Sequence, residues 1–308
     1  MADSLVVGLG PVPTDVVQPI LGGHAEFVDN PTDEHLSRAV GAIVRADVDV
    51  DGAVFDSMPQ LKVLARTGVG VDRVDVEQAT ARGIPVVITP GSNTQAVAEG
   101  TMAHLLAVTK NLAVMTELVR QGRWSERSAH TIGDLDGGVL ALLGFGRIGR
   151  RVADLAQAFG MTVVAYDPYA DISGVSSAAT PEEAVSAASH VSLHLPSTPE
   201  TAGLVNRELI GSMSPGTVLV NLARGDVLDV DAALWGLGEG ILAGVGLDVF
   251  PEEPAVHHPL LDHPRVVLTP HVMGLSTRSA RATFEMAAQG IVDVLTGNPP
   301  AALANPTV

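Results

Sequence analysis

The sequence predicts an α/β protein in which helices cover parallel sheets. The chain has 308 residues, of which 46% are hydrophobic, so it can bury large cores and has the length of about two ordinary domains. Short runs rich in Val, Ile and Leu alternate with helix-like stretches along the chain. These runs are apolar on both faces, which is typical of strands in a parallel sheet with helices on either side.

The strand-like runs form two series separated by one long helix. The first series comprises residues 5–9, 25–28, 42–45, 62–66 and 85–88. An apolar helix is predicted from Asn93 or Thr94 to about Arg120. The second series comprises residues 139–143, 162–167, 191–195, 218–223, 243–249 and 266–269. A last helix is predicted over residues 276–296, and the tail after it is too short for a further domain.

Charge and composition exclude several classes of function. The 18 basic and 35 acidic residues give a net charge of −17, which would repel nucleic-acid phosphates and anionic lipid surfaces. We therefore expect neither a nucleic-acid nor a membrane partner. The chain has no cysteine, which removes thiolate metal sites and cysteine nucleophiles, and the histidines show no metal-ligand spacing. With no signal-peptide pattern and no long apolar run, a cytoplasmic location is predicted.

The strongest motif is a glycine-rich loop between a predicted strand and a predicted helix. It has the pattern GxGxxG and consists of Gly144, Phe145, Gly146, Arg147, Ile148 and Gly149. Such glycines allow a tight turn and close approach of a pyrophosphate to the helix N-terminus. Asp167 ends the next strand, where a carboxylate accepts hydrogen bonds from a ribose but repels a 2′-phosphate. The motif favours NAD over NADP, and an ordinary strand-to-helix turn is the alternative interpretation.

Three ionisable residues each follow a predicted strand of the second series. They are Arg224, Glu253 and His271. Strand ends of an open parallel sheet share the edge at which ligands bind. An arginine there can hold a carboxylate in a forked pair. The histidine can exchange a hydroxyl proton while the glutamate orients and charges its ring. Taken singly, each residue could instead be an exposed side chain or a helix cap.

Together these residues resemble the D-isomer-specific 2-hydroxyacid dehydrogenases, and most closely their D-3-phosphoglycerate dehydrogenase branch. The resemblance covers nearly the whole chain. It rests on five motifs in the family's order: RTGVGVD at 66–72, the glycine-rich loop, NLARG at 221–225, DVFPEEP at 248–254 and PHVMG at 270–274. It implies two doubly wound parallel-sheet domains. A discontinuous flavodoxin-like substrate domain would comprise residues 1–96 and 276–308, and a Rossmann NAD-binding domain residues 97–275, in a form without a C-terminal regulatory domain.

The resemblance also implies a set of site residues. Arg224, Glu253 and His271 match the catalytic trio. Cofactor contacts are expected from the glycine-rich loop, Asp167, Leu195, Pro196, Leu222, Ala223, Asp248 and Gly274, with Asp248 holding the nicotinamide carboxamide. Substrate contacts are expected from Gly68, Val69, Gly70 and Asn93. Arg45 and Arg66 match positions that contact a substrate phosphate, although Arg66 could brace its loop and Arg45 could be solvated.

The expected activity is that of an NAD-dependent D-2-hydroxyacid dehydrogenase acting on a small anionic 2-hydroxy or 2-keto acid. By resemblance the leading substrate is 3-phosphoglycerate, which would place the enzyme in serine biosynthesis. The alternative enzyme is a hydroxypyruvate or glyoxylate reductase. A non-enzymatic NADH sensor similar to a corepressor is the alternative from another class. The apolar helix after Asn93 and the resemblance together predict a homodimer.

Overall fold

The chain divides into two compact units, each with its own parallel sheet. The computed structural model describes residues 4–255 and 257–305. The first unit comprises Met1–Asn93 with Leu275–Val308, and the second comprises Thr94–Gly274. These divisions fall slightly before the predicted ones at 96 and 275. The first difference arises because the helix that begins at Thr94 belongs as a whole to the second unit.

The sheet of the first unit has five strands. They are β1 (Leu5–Leu9), β2 (Glu26–Val28), β3 (Ala39–Val44), β4 (Val63–Arg66) and β5 (Val86–Val87), in the order β2-β1-β3-β4-β5. Every pair is parallel. The helices between them are α1 (Thr14–Leu21), α2 (Asp33–Arg38), α3 (Gly52–Ser57) and α4 (Val76–Ala81). Alternate strand residues enter two separate apolar clusters, so both faces of the sheet are buried.

The second unit contains a seven-stranded parallel sheet. Its strands are β6 (Val139–Leu143), β7 (Thr162–Tyr166), β8 (Ser176–Ser177), β9 (His190–Leu193), β10 (Thr217–Asn221), β11 (Leu242–Leu247) and β12 (Val266–Leu268). The order is β12-β11-β10-β9-β6-β7-β8. Its helices are α5 (Thr94–Thr109), α6 (Leu112–Arg120), α7 (Arg147–Ala158), α8 (Pro181–Ser186), α9 (Arg207–Gly211) and α10 (Val230–Gly238). Strand order reverses beside β6, and ligands bind at such a switch point in doubly wound sheets. The predicted fold class is confirmed.

The last helix, α11 (Thr277–Leu295), belongs to the core of the first unit. It begins after Ser276, whose side chain accepts a hydrogen bond from the Ser279 N–H at 3.2 Å, as N-cap residues do. Its apolar face, including Phe284 and Ile291, packs with residues of β1, β3 and β4. Among the described helices, none is long and apolar enough to cross a membrane.

The single helix predicted from Asn93 to Arg120 is wrong. The structure has two helices there, α5 and α6, because Asn111 adopts the left-handed conformation with φ of 53°. Asparagine tolerates that region better than most residues. The prediction also missed β8, which consists of two exposed serines and gives no apolar run.

His190 is a buried histidine in β9 whose ring lies between two hydroxyl groups. Its Nε2 is 3.0 Å from Thr109 Oγ1 and its Nδ1 is 2.9 Å from Ser189 Oγ. Burial lowers the pKa of the imidazole from 6.5 to about 4, because the protonated ring loses hydration. Because the pKa of His190 is lower in the folded state than in the unfolded state, protonation favours unfolding. The folded state therefore keeps its full stability above pH 6.5 and loses part of it as the pH falls from 6.5 toward 4.

We expect His190→Gln to weaken the pH dependence of unfolding. In wild type, the free energy of unfolding should fall by about 2 kcal/mol from pH 7 to pH 5 through this histidine, because the unfolded state gains a proton that the folded state does not. Glutamine does not ionise and removes this contribution. Urea titrations at pH 7, 6 and 5 measure the slope, and His24→Gln on an exposed histidine should leave it unchanged. Equal slopes in wild type and His190→Gln would contradict the assignment.

Candidate active site

The glycine-rich loop after β6 packs closely against the end of β9. Gly144 has a φ of 101°, and a Cβ atom there would lie 2.5 Å from the carbonyl oxygen of His194. A Cβ on Gly149 would overlap the carbonyl oxygen of Gly144. Gly146 differs, because a Cβ there would have no protein atom within 4 Å. Two glycines therefore permit close packing, and the third leaves open space where a phosphate can approach the backbone.

The residues around this loop fit an NAD-type dinucleotide. α7 begins at Arg147 with Gly146 as its N-cap, and the N–H groups of a helix N-terminus attract a pyrophosphate. Ile148 follows in the first turn. Asp167, directly after β7, accepts hydrogen bonds from the N–H groups of Phe145 at 2.7 Å, Tyr169 at 2.9 Å and Ala170 at 3.0 Å. Its carboxylate thus holds the loop and lies where a 2′-phosphate would be repelled.

Two further segments reach the same edge of the sheet after β9 and β10. Leu195 is buried and Pro196 is exposed. Leu222 is buried and Ala223 is partly exposed. Asn221 shapes the second segment, since its Oδ1 accepts from the Ala223 N–H at 3.0 Å.

Arg224 and Glu253 lie on segments that touch through their backbones. Asn221 Nδ2 donates to the carbonyl of Arg224 at 2.8 Å, and the Arg224 guanidinium donates to the carbonyl of Ala223 at 2.7 Å. A Cβ on the next residue, Gly225, would overlap the backbone of Phe250. Glycine at this position therefore lets the Arg224 segment lie directly against the segment that leads to Glu253.

Glu253 and His271 form a short hydrogen-bonded pair. His271 Nδ1 donates to Glu253 Oε2 at 2.7 Å, and Glu253 Oε1 accepts from the Phe250 N–H at 3.1 Å. His271 has a φ of 53°, which is uncommon for a residue other than glycine and occurs often at functional sites. The carboxylate fixes Nδ1 as the protonated nitrogen. Nε2 is then the nitrogen that can accept a proton from a substrate.

Asp248 is the most buried carboxylate at this edge, with 2% of its surface exposed. Its Oδ1 accepts from Thr269 Oγ1 at 2.6 Å and from the Val272 N–H at 3.0 Å. Its Oδ2 accepts from the Met273 N–H at 3.1 Å. These bonds use three of about four acceptor positions of a carboxylate, so Oδ2 can still accept from an amide. Gly274 follows as the last residue of the second unit.

In the first unit, the loop after β4 carries the predicted carboxylate-binding residues. Gly68 has a φ of 133°, and its N–H donates to Thr89 Oγ1 at 2.8 Å. Val69 is exposed and Gly70 is partly exposed. Arg66 Nη1 donates to the carbonyl of Thr67 at 2.5 Å, and a Cβ on Gly68 would overlap this guanidinium. Arg66 therefore braces its own loop.

Arg45 and Asn93 complete the predicted residues of the first unit. Arg45 follows β3, and its Nε lies 3.2 Å from Asp47 Oδ1. Asn93 is partly exposed and ends the first segment of this unit. In this structure, Arg45 pairs with Asp47 while Arg66 donates to the carbonyl of Thr67, and neither bond involves the other arginine.

Across residues 4–255 and 257–305, no group of three or more His, Asp or Glu could hold a metal ion.

Sequence reasoning missed the contact at Gly225 and assigned no role to Thr269. A threonine directly after β12 and two residues before His271 was the available signal.

His194 lies beside the glycine-rich loop. Burial lowers the pKa of its imidazole to about 4, so this ring is neutral at neutral pH.

Residues 102–273 match the model described as "D-isomer specific 2-hydroxyacid dehydrogenase, NAD binding domain". The D-3-phosphoglycerate dehydrogenase of Mycobacterium tuberculosis (strain ATCC 25618 / H37Rv) is 39% identical over 271 residues, which are 85% of this chain and 51% of that protein. The chain thus spans about half the length of the curated relatives that it matches.

Solved structures resemble the chain along almost its whole length. The TT0316 protein from Thermus thermophilus has a TM-score of 0.88 and 35% identity, covering 97% of this chain and 99% of that one. An NADPH-dependent glyoxylate/hydroxypyruvate reductase from Sinorhizobium meliloti has a TM-score of 0.87 and 28% identity, covering 98% and 97%. The chain belongs to the D-isomer-specific 2-hydroxyacid dehydrogenase family.

Proposed function

We propose that the chain is an NAD-dependent D-2-hydroxyacid dehydrogenase acting on a small anionic 2-hydroxy or 2-keto acid. The hydrogen bond of 2.7 Å between His271 Nδ1 and Glu253 Oε2 supports this most directly, because it orients an imidazole for proton exchange. NAD would supply the acceptor for the hydride that leaves C2 of the substrate.

The chain's own residues divide the remaining work. Arg224 binds the substrate carboxylate, which a guanidinium can hold through two parallel hydrogen bonds. Nε2 of His271 takes the hydroxyl proton during oxidation and returns it during reduction. Glu253 stabilises the protonated ring. Asp248 accepts from the carboxamide of the cofactor.

Within this activity, we propose 3-phosphoglycerate as the substrate. The support is the 39% identity to a D-3-phosphoglycerate dehydrogenase over 85% of this chain. Arg45 pairs with Asp47, and Arg66 donates to the carbonyl of Thr67. These bonds favour a second candidate function, the reduction of hydroxypyruvate or glyoxylate, because those substrates have no phosphate for the arginines to bind. The structural similarity to a glyoxylate/hydroxypyruvate reductase supports the same alternative.

The substrate test compares NADH oxidation with 3-phosphohydroxypyruvate, hydroxypyruvate and glyoxylate. We expect kcat/KM to be about a hundredfold higher for the phosphorylated acid, because two arginine side chains that bind its phosphate would stabilise its transition state. Arg45→Gln should reduce this preference, whereas Arg38→Gln, on the exposed surface of α2, should not. Preference for the unphosphorylated acids would support the reductase. NADH binding without turnover of any acid would support a sensor.

For Glu253→Gln we expect the rate of reduction to fall about tenfold, since a hydrogen bond to a charged group is lost. Measurements of kcat for reduction at saturating NADH test this effect. Glu252→Gln, on the exposed neighbouring carboxylate, is the matched control. A kcat equal to that of wild type would refute the role of Glu253.

We also propose that the chain acts as a homodimer through the outer face of α6. Leu112 and Val119 lie seven positions apart, on one face of this helix, and are 50% and 61% exposed. Trp124, just beyond α6, is 63% exposed. Exposed apolar groups that cluster in this way mark association surfaces more often than isolated ones do.

Sedimentation equilibrium at micromolar concentration tests the dimer. Wild type should sediment as a dimer, and the double variant Leu112→Asp, Val119→Asp should shift toward monomer, because two charges would be buried in the interface. Phe159→Ser, which changes an exposed apolar residue after α7, should remain dimeric. A monomeric wild type would overturn this proposal.

A further inference from the structure

A chain of hydrogen bonds joins Asp248 to a histidine on α5. Asp248 Oδ1 lies 2.6 Å from Thr269 Oγ1. On its other side, Thr269 Oγ1 lies 3.1 Å from Nε2 of His104. Nδ1 of His104 lies 2.9 Å from the carbonyl oxygen of Gly100, one turn earlier in α5. His104 and Asp248 are each 2% exposed, so bulk water does not compete for these bonds.

Two glycines make room for this arrangement. A Cβ on Gly246 of β11 would lie 3.1 Å from both Cβ and Cδ2 of His104, so glycine lets the ring lie against the strand. A Cβ on Gly100 would lie 2.6 Å from the Cβ of Met273. Met273 is the residue whose N–H donates to Asp248 Oδ2. Each glycine therefore accommodates a residue within reach of Asp248, either directly or through Thr269.

The direction of the hydrogen bonds follows from the number of available hydrogens. The Gly100 carbonyl can only accept, so Nδ1 of His104 carries a hydrogen and donates it. The hydroxyl of Thr269 has one hydrogen, and its short contact to the Asp248 carboxylate uses it. Nε2 of His104 therefore faces a lone pair of the Thr269 oxygen. This contact is favourable when Nε2 also carries a hydrogen, so that every bond points from the ring toward the carboxylate.

We propose that His104 is a positioning residue for Asp248, acting through Thr269 with both ring nitrogens as donors. The inference rests on the proposed function in one respect, the role of Asp248 as the acceptor for the cofactor carboxamide. The Thr269 hydroxyl fixes Oδ1, and Oδ2 then keeps a set orientation toward the amide that it binds. Without this support the Asp248 carboxylate keeps only the hydrogen bonds from the Val272 and Met273 N–H groups, so its orientation is less fixed and the cofactor is held less firmly.

Variants at His104 separate its two hydrogen bonds. His104→Asn keeps a donor near the Gly100 carbonyl but ends short of Thr269, whereas His104→Gln extends an amide donor toward Thr269. We expect His104→Asn and Thr269→Val each to raise the Kd for NADH and the KM for NAD by about tenfold, the cost of one unsatisfied buried partner. His104→Gln and Thr269→Ser should recover most of this loss. The double variant His104→Asn, Thr269→Val should be no worse than either single variant.

His190→Gln provides a matched control, because His190 is also buried in the second unit between hydroxyl groups but has no contact with Asp248. It should leave the KM for NAD and the Kd for NADH unchanged. A purely structural role of His104 would lower the active fraction, and with it kcat, without changing KM. The proposal is overturned if His104→Asn binds NADH as tightly as wild type does.

A spectroscopic measurement tests the hydrogen assignment without activity. In the ¹⁵N-labelled full chain, the ring signals of His104 are those lost in His104→Asn. We expect the shifts of a ring that is protonated at both nitrogens, and a ring with a bare Nε2 overturns the proposal. If wild type neither binds NADH nor turns over any acid, the proposed function fails, whereas the ring spectrum still decides the orientation of the hydrogen bonds.

Discussion

Parallel pairing in the second sheet is the constraint that brings the candidate site together. Residues that follow β9, β10, β11 and β12 all emerge at one edge, since every pair among these strands runs in the same direction. Register then sets the finer contacts. Leu247 pairs with Leu268, so the next residues, Asp248 and Thr269, are neighbours and their side chains meet. The chemistry thus depends on strand order and not on proximity along the chain.

Glycines decide how closely the loops at this edge can approach one another. Gly225 lets the segment after β10 touch the backbone of Phe250, and Gly144 does the same for the loop after β6 and the carbonyl of His194. Contacts between backbones do not adjust by changing a rotamer, as side-chain contacts do. The positions of Arg224 and Glu253 are therefore linked by a rigid contact. A side chain at Gly225 would displace both residues at once.

The sequence could predict the strands because their signals are local or periodic, whereas the trio of Arg224, Glu253 and His271 stays a prediction. A strand that is buried on both faces has a short apolar run as its sequence pattern. In a parallel sheet, the residue after each such run lies at the carboxyl edge of the strands. The break at Asn111 was not predictable from an apolar pattern that continues through it. The partners of His104 were not predictable either, because Thr269 lies 165 positions away. Pairing within a loop, as between Arg45 and Asp47, depends on rotamers that no sequence pattern specifies.

The two arginines of the first unit differ in what a phosphate would displace. The pair of Arg45 with Asp47 joins side chains that are 32% and 69% exposed, and such a pair is worth about 0–1 kcal/mol. A phosphate can therefore replace Asp47 at small cost. The Arg66 guanidinium instead lies directly against Gly68 and donates to the carbonyl of Thr67, so it supports the loop that follows β4. Releasing Arg66 would loosen that loop, so we infer that discrimination for a phosphate depends on Arg45 more than on Arg66.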